Sequence, residues 1–233
     1  MQKNFTCEPI TLITPTALMS GVVHGGRAKC LQRLIRLDMP VPVTVALSFD
    51  AVHDIAIGKM PDMKEVLAPF GAEPLLSVRP SSQDPDWGGP SAILNIGMND
   101  ARHAKMVESL GETAATALYL RFVRAFAVHV SRLDPDAFDI PENADRATLT
   151  RMLEAYEFET DAVFPQDPAA QLTEVLRSMA RAWDGTTARL LRQAKGAPAD
   201  AGLGLVVQEL ALGVGQGQCG SGVIQFVNDA TGI

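Results

Sequence analysis

The chain is poor in several kinds of residue and pattern, and each scarcity narrows what it can be. It carries three cysteines, Cys7, Cys30 and Cys219, far apart and odd in number. With no CxxC pair, neither a zinc site nor a disulfide framework is indicated, and reduced thiols in a cytoplasmic protein are expected. No apolar run reaches the about eighteen residues of a membrane-spanning helix, and the N-terminal MQKNFTCEPITLITPT lacks the apolar core of a signal peptide. Basic residues are outnumbered, 20 against 27 acidic, for a net charge of −7 and a pI near 5.1. That balance argues against nucleic acid as a partner, because neutralising phosphates takes clustered Lys and Arg. There is no GxxxxGK[ST] phosphate loop and no HExxH. None of His24, His53, His103 and His129 has a second histidine at helical spacing.

What is present suits a globular α+β chain. Of its 233 residues, 47% are hydrophobic, enough for a sizeable core. Three textures follow one another. Residues 1–110 mix short apolar runs with Gly and Pro: strands are expected at 10–13, 43–47 and 75–79, and helices at 28–37 and 48–57. Pro80 to Pro90 reads as a loop. Residues 111–197 read as helical, with Leu118, Phe122, Phe126 and Val130 on one face and Pro168 opening a further helix that Asp184-Gly185 ends. Residues 198–233 turn to β, with strands expected over 203–212 and 222–228 around a glycine-rich loop as a hairpin.

Few residues stand out as chemistry. Gly25-Gly26-Arg27 precedes a helix, where free N–H groups and a cation suit a polyphosphate; a plain glycine turn with solvated charges is the other reading. Arg79 ends an apolar strand before Pro-Ser-Ser. Its guanidinium could grip a phosphate side-on, or pair with Asp84 or Asp86. Gly215 to Gly220 matches GxGxxG, but strand-like residues follow where a dinucleotide fold needs a helix, so a hairpin loop is expected. Asp134, Asp136 and Asp139 form an acidic turn rather than a calcium loop, given Pro135 and no glycine. No metal-ligand set is identified.

In order, these segments resemble the N-terminal nucleotide-binding region of the pyruvate phosphate dikinase family. The similar stretches are GGRAKCL (Gly25 to Leu31), LLSVRPSS (Leu75 to Ser82), LNIGMND (Leu94 to Asp100), FPQDPAAQL (Phe164 to Leu172), RAWDGTTARLLR (Arg181 to Arg192) and the VQ…G…SG run after Leu205. The resemblance implies an ATP-grasp-like first lobe (1–110), a helical insert (111–197) and an incomplete second β lobe (198–233). It implies ATP with Mg²⁺ as ligand. Arg27 and Arg79 would then meet the phosphates, with Gln208, Glu209 and Leu210 along the adenine edge. Partners would be other domains or chains that carry the phosphohistidine and pyruvate-binding functions. Departures accompany the match. Arg27 stands for the family's lysine and Ala28 for a glycine, QDPDWGGPSA replaces a Gly- and Met-rich loop, and Val227 and Asp229 replace an arginine and a proline. The family's metal ligands and phosphohistidine domain fall after Ile233, so no complete dikinase turnover is expected from this chain alone. The alternative is a catalytically inactive module acting in regulation or protein interaction.

Overall fold

A computed structural model describes residues 7–215 and 218–222. Five short runs, most of them rich in Val, Ile and Leu, form its sheet: β1 (Ile10–Leu12), β2 (Thr44–Leu47), β3 (Leu76–Ser82), β4 (Ile93–Ile96) and β5 (Leu203–Glu209). They lie in the order β1-β2-β5-β3-β4, each neighbour antiparallel. β5, which the sequence places in the third segment, is therefore the central strand, held between two strands of the first. The reason is compositional: six of its seven residues are buried, so both edges and both faces need covering. Of the strand expected over 222–228, all but Gly222 lies outside the described residues.

The helices are α1 (Gly21–Arg36), α2 (Phe49–Ala56), α3 (Met63–Leu67), α4 (Asp100–Leu110), α5 (Glu112–Ala125), α6 (Arg146–Thr160), α7 (Pro168–Asp184) and α8 (Thr186–Ala194). α5 runs on into a π-helical turn, Phe126–Val130. Local chemistry sets several of their ends. Asp167 caps α7 and Pro168 occupies its first position; Asn99 caps α4, and Gly111 at φ 85° follows its last turn.

β3 runs further than the sequence suggests, through Pro80 to Ser82. β4 reaches only to Ile93 opposite Val78, so beyond that point no strand among the described residues covers this edge of β3 and proline's missing N–H costs no described pairing.

The side chains of each strand alternate between two faces. Val45, Leu47, Val78, Leu76, Leu205 and Val207 point to one, where they join α2, α5 and α7 in a single large core. At its centre Phe164 meets Tyr119, Phe122, Phe126 and Tyr156, mostly edge to face, with ring centroids 5.2–6.1 Å apart. The LNIGMND and FPQDPAAQL stretches clasp each other beside it. Buried Gln171 accepts from the Gly97 N–H at 2.7 Å and donates to the carbonyls of Met98 and Pro165, while Gln166 accepts from the Asp100 N–H at 2.9 Å. Gly97, at φ 102°, is required there, since a Cβ would come within 2.0 Å of the Pro74 carbonyl oxygen. The other face is thinly covered. α1 lies on it, over a small cluster of Ile13, Met19, Ala28, Ala46 and Val206.

Candidate functional site

The thin face carries the residues of interest. Cross-strand register sets Arg79 opposite Val206 and Ser77 opposite Gln208, and β2 sets Thr44 opposite Gln208. Period-two alternation therefore places Thr44, Ser77, Arg79 and Gln208 on one face. Arg79 and Gln208 are two positions apart across adjacent strands, not on opposite sides of the molecule.

The Gly-Gly-Arg segment brings α1 down onto this face. Gly25 kinks the helix (φ 82°, ψ 170°), and a Cβ there would lie 1.7 Å from the Ser81 carbonyl oxygen. Gly204 of β5 clears the other side, where a Cβ would come within 2.6 Å of the His24 carbonyl oxygen. Buried Ser81 fastens the contact: its hydroxyl donates to the His24 carbonyl at 2.7 Å and accepts from the Ala28 N–H at 3.1 Å. One donor that the sequence offers to an anion is thus already used. The two glycines serve close packing at this point, which also fixes where Arg27 starts.

Arg27 donates through Nε to the Pro80 carbonyl at 2.8 Å, on the edge of β3 that β4 leaves open. Burial lowers its pKa, and the positive charge of Arg79 lowers it further. Its bond to Pro80 sets Arg27 beside the residue that follows Arg79 in β3. No described carboxylate lies within ion-pair distance of either, Asp84 and Asp86 included. Asp84 instead accepts from the Asp86 N–H at 2.9 Å. Beside Arg27 opens a cavity of about 690 Å³ between α1 and the end of β3, walled by Cys30, Leu31, Leu34, Pro80 and Gly88 among others. Arg79's neighbours in β3, Pro80 and Ser81, line the cavity; Arg79 does not.

The groups expected along a base edge are largely committed. Gln208 Nε2 donates to Thr44 Oγ1 at 2.8 Å, and its carbonyl accepts from Ser77 Oγ at 3.4 Å. The Glu209 N–H donates to the Val43 carbonyl at 2.9 Å and the Leu210 N–H to the Leu75 carbonyl at 2.8 Å. A central strand spends its amides on its neighbours, so these two N–H groups do not face a ligand.

Among the described residues no group of three or more His, Cys, Asp or Glu is arranged to hold a metal ion. Asp134 caps a short 3₁₀ turn, Asp139 lies 3.5 Å from Arg124, and Cys7, Cys30 and Cys219 are free thiols. No described helix is long and apolar enough to cross a membrane. The sequence reading assigned no role to Arg192 or Trp183. No local signal marked them: in α8 the buried position falls to Arg192, while Leu190 and Leu191 face outward.

Comparison with known proteins agrees with the residue patterns. No family model matches the chain. Over 180 aligned positions, covering 68% of this chain, it is 28% identical to pyruvate, phosphate dikinase of Rhizobium meliloti (strain 1021). Over 184 positions, again 68% of the chain, it is 26% identical to pyruvate, phosphate dikinase of Clostridium symbiosum. The chain carries a region related to that enzyme. It spans about a fifth of the length of these relatives, 20% of each.

Proposed function

We propose that this chain is the phosphate-holding part of a nucleotide-binding region, taking ATP with Mg²⁺ in a phosphotransferase related to pyruvate, phosphate dikinase. The observation that carries the reading is Arg27 on the wall of an open cavity, its Nε bonded to the carbonyl of Pro80 next to Arg79, with no described carboxylate in ion-pair distance of either arginine. Like charges held together are relieved by an anion, and a polyphosphate presents several oxygens to two planar forks. A sheet of α+β type with an ATP-grasp-like arrangement fits this reading. The first lobe would supply the arginines. Metal enters with the nucleotide, since transfer of a phosphoryl group needs its charge neutralised. The phosphohistidine and pyruvate chemistry belongs to partner domains or chains.

The second reading, a catalytically inactive module that regulates or docks, is favoured by one observation. Gln208 and the amides of Glu209 and Leu210 are spent inside the sheet, so base recognition by these groups would need the strand to open.

Calorimetric titration with ATP, with and without Mg²⁺, separates the two. Saturable binding that weakens at least about 10-fold in Arg79→Ala and in Arg27→Ala, equivalent to ~1.4 kcal/mol each, supports the nucleotide site. No heat and no thermal shift at millimolar ATP would overturn it and leave the inactive module.

A further inference from the structure

We propose a second, independent ligand site on the opposite face of the sheet, where Arg192 binds a small monocarboxylate with an apolar body. A cavity of about 510 Å³ opens there between α2, α7, α8 and residues 199–203. Its apolar walls are Phe49, Val52 and Trp183. The 199–203 segment is held in place on both sides: Trp183 Nε1 donates to the Ala201 carbonyl at 2.9 Å, and Gly202 sits so near Phe49 that a Cβ would come within 2.4 Å of the ring.

Arg192 lines this cavity at 6% exposure. Its guanidinium lies 3.6 Å from the Trp183 ring centroid, and Nη1 donates to the Trp183 carbonyl at 2.6 Å, which caps the end of α7. That accounts for one nitrogen and one face. Nε is buried with no hydrogen-bond partner, and no described carboxylate lies within 4.0 Å of the group. A guanidinium grips a carboxylate through its Nε–Nη2 edge, the edge not used here. A buried cation with an unpaired Nε, on the wall of a cavity with aromatic sides, suits a flat anion with an apolar tail once a small side-chain shift opens that edge.

The rim decides the charge. Exposed Asp50, Asp184 and Asp200 stand around the mouth, against Arg189 and Arg192. Three carboxylates against two guanidinium groups repel phosphates and polyphosphates more than a single carboxylate. His53, 3.9 Å from Asp184, adds a positive charge only when protonated.

The test uses butyrate, its neutral isostere butyramide and inorganic phosphate, read by the fluorescence of Trp183 in a Trp87→Phe background. Wild-type side chains at the cavity should give a saturable change with butyrate, and none with butyramide or phosphate. Arg192→Lys keeps the charge and loses the fork, so butyrate binding should weaken about 10-fold. Asp200→Asn, at the exposed rim, should tighten it about 2- to 5-fold by removing a like charge. Three results would overturn the site. One is no saturation at tens of millimolar butyrate in either the parent or Asp200→Asn. The second is an equal response to butyramide or phosphate. The third is unchanged affinity in a folded Arg192→Lys. In each case Arg192 would be a helix cap and a lid on Trp183 alone.

Discussion

The two faces of the sheet differ in depth. One is buried under α2, α5 and α7 and meets a ring of aromatic side chains around Phe164; the other has α1 and a five-residue apolar cluster. The deep face supplies most of the stability, because burial of apolar area scales with what is covered. The thin face is where polar and charged side chains can stand: Thr44, Ser77, Arg79 and Gln208 all project from it. A sheet covered on one side by a full layer and on the other by one kinked helix has somewhere to hold a ligand without dismantling its core.

Substitutions on each face should break or sharpen this contrast. The largest effect is expected on the deep face. Phe164→Ala removes a ring that is 3% exposed and in contact with four other aromatics. It should cost about 3–5 kcal/mol in urea or guanidinium unfolding, since the cavity cannot collapse among rigid rings. A loss below ~1 kcal/mol would mean that the aromatic cluster is not the centre of the fold.

Next comes the one rigid point of the thin face. Gly25→Ala forces a Cβ into the Ser81 carbonyl at a φ of 82°, and backbone on both sides leaves little room to relax. A loss of about 3 kcal/mol is expected, with affinity at the proposed nucleotide site falling in parallel as Arg27 shifts. Gly26→Ala is the control. Its Cβ would lie 3.2 Å from the Gln83 carbonyl, a contact a small shift relieves, and it should cost under ~1 kcal/mol. Equal losses for the two would refute the kink as the docking point of α1.

A smaller effect depends on pH. His24 is fully buried at that kink; Nδ1 accepts from the Ser20 N–H at 3.5 Å and Nε2 has no partner. Burial lowers its pKa below the ordinary 6.5, and burial acts the same way on His103. The unfolded chain therefore binds protons more readily than the folded one. Stability from these groups is complete above about pH 6.5 and is lost as pH falls through the window below it. Unfolding midpoints should drop between pH 7.5 and 5.5, with a shallower drop in His24→Asn; a midpoint that rises on acidification would contradict the burial of neutral His24.

The smallest change in stability belongs to Arg79. Half-exposed and without an ion-pair partner among the described residues, it can become alanine within ~0.5 kcal/mol of the parent, or even with a slight gain as repulsion with Arg27 is lost. A large loss would give Arg79 a structural role in place of the proposed ligand contact.

Much of the scaffold was legible because its signals are local. Pro168 after a capping Asp167 opens α7, and Asp184-Gly185 ends it; Phe122 and Phe126 share a buried face through simple helical spacing. The α+β character followed from the same patterns. α4 was not read, although Asn99 and Gly111 bracket it, because its apolar residues are few and only His103 and Met106 are buried. Of the proposed site, Arg27 and Arg79 stood out in the sequence as cations at the ends of elements. Arg192 was not, since nothing local distinguishes it from the solvated arginines beside it.

The sequence by itself determined the type of most elements and several of their ends, such as the start of α7 at Pro168 and its stop at Asp184-Gly185, because capping, proline geometry and apolar periodicity act over a few positions. Only the tertiary structure decided that β5 enters the middle of the sheet, consuming the amides of Glu209 and Leu210, and that Gly25 yields its space to the carbonyl of Ser81. Strand order and close backbone approach join residues far apart in the chain. They are set by which pairing buries the most apolar surface while giving the buried backbone N–H and C=O groups partners.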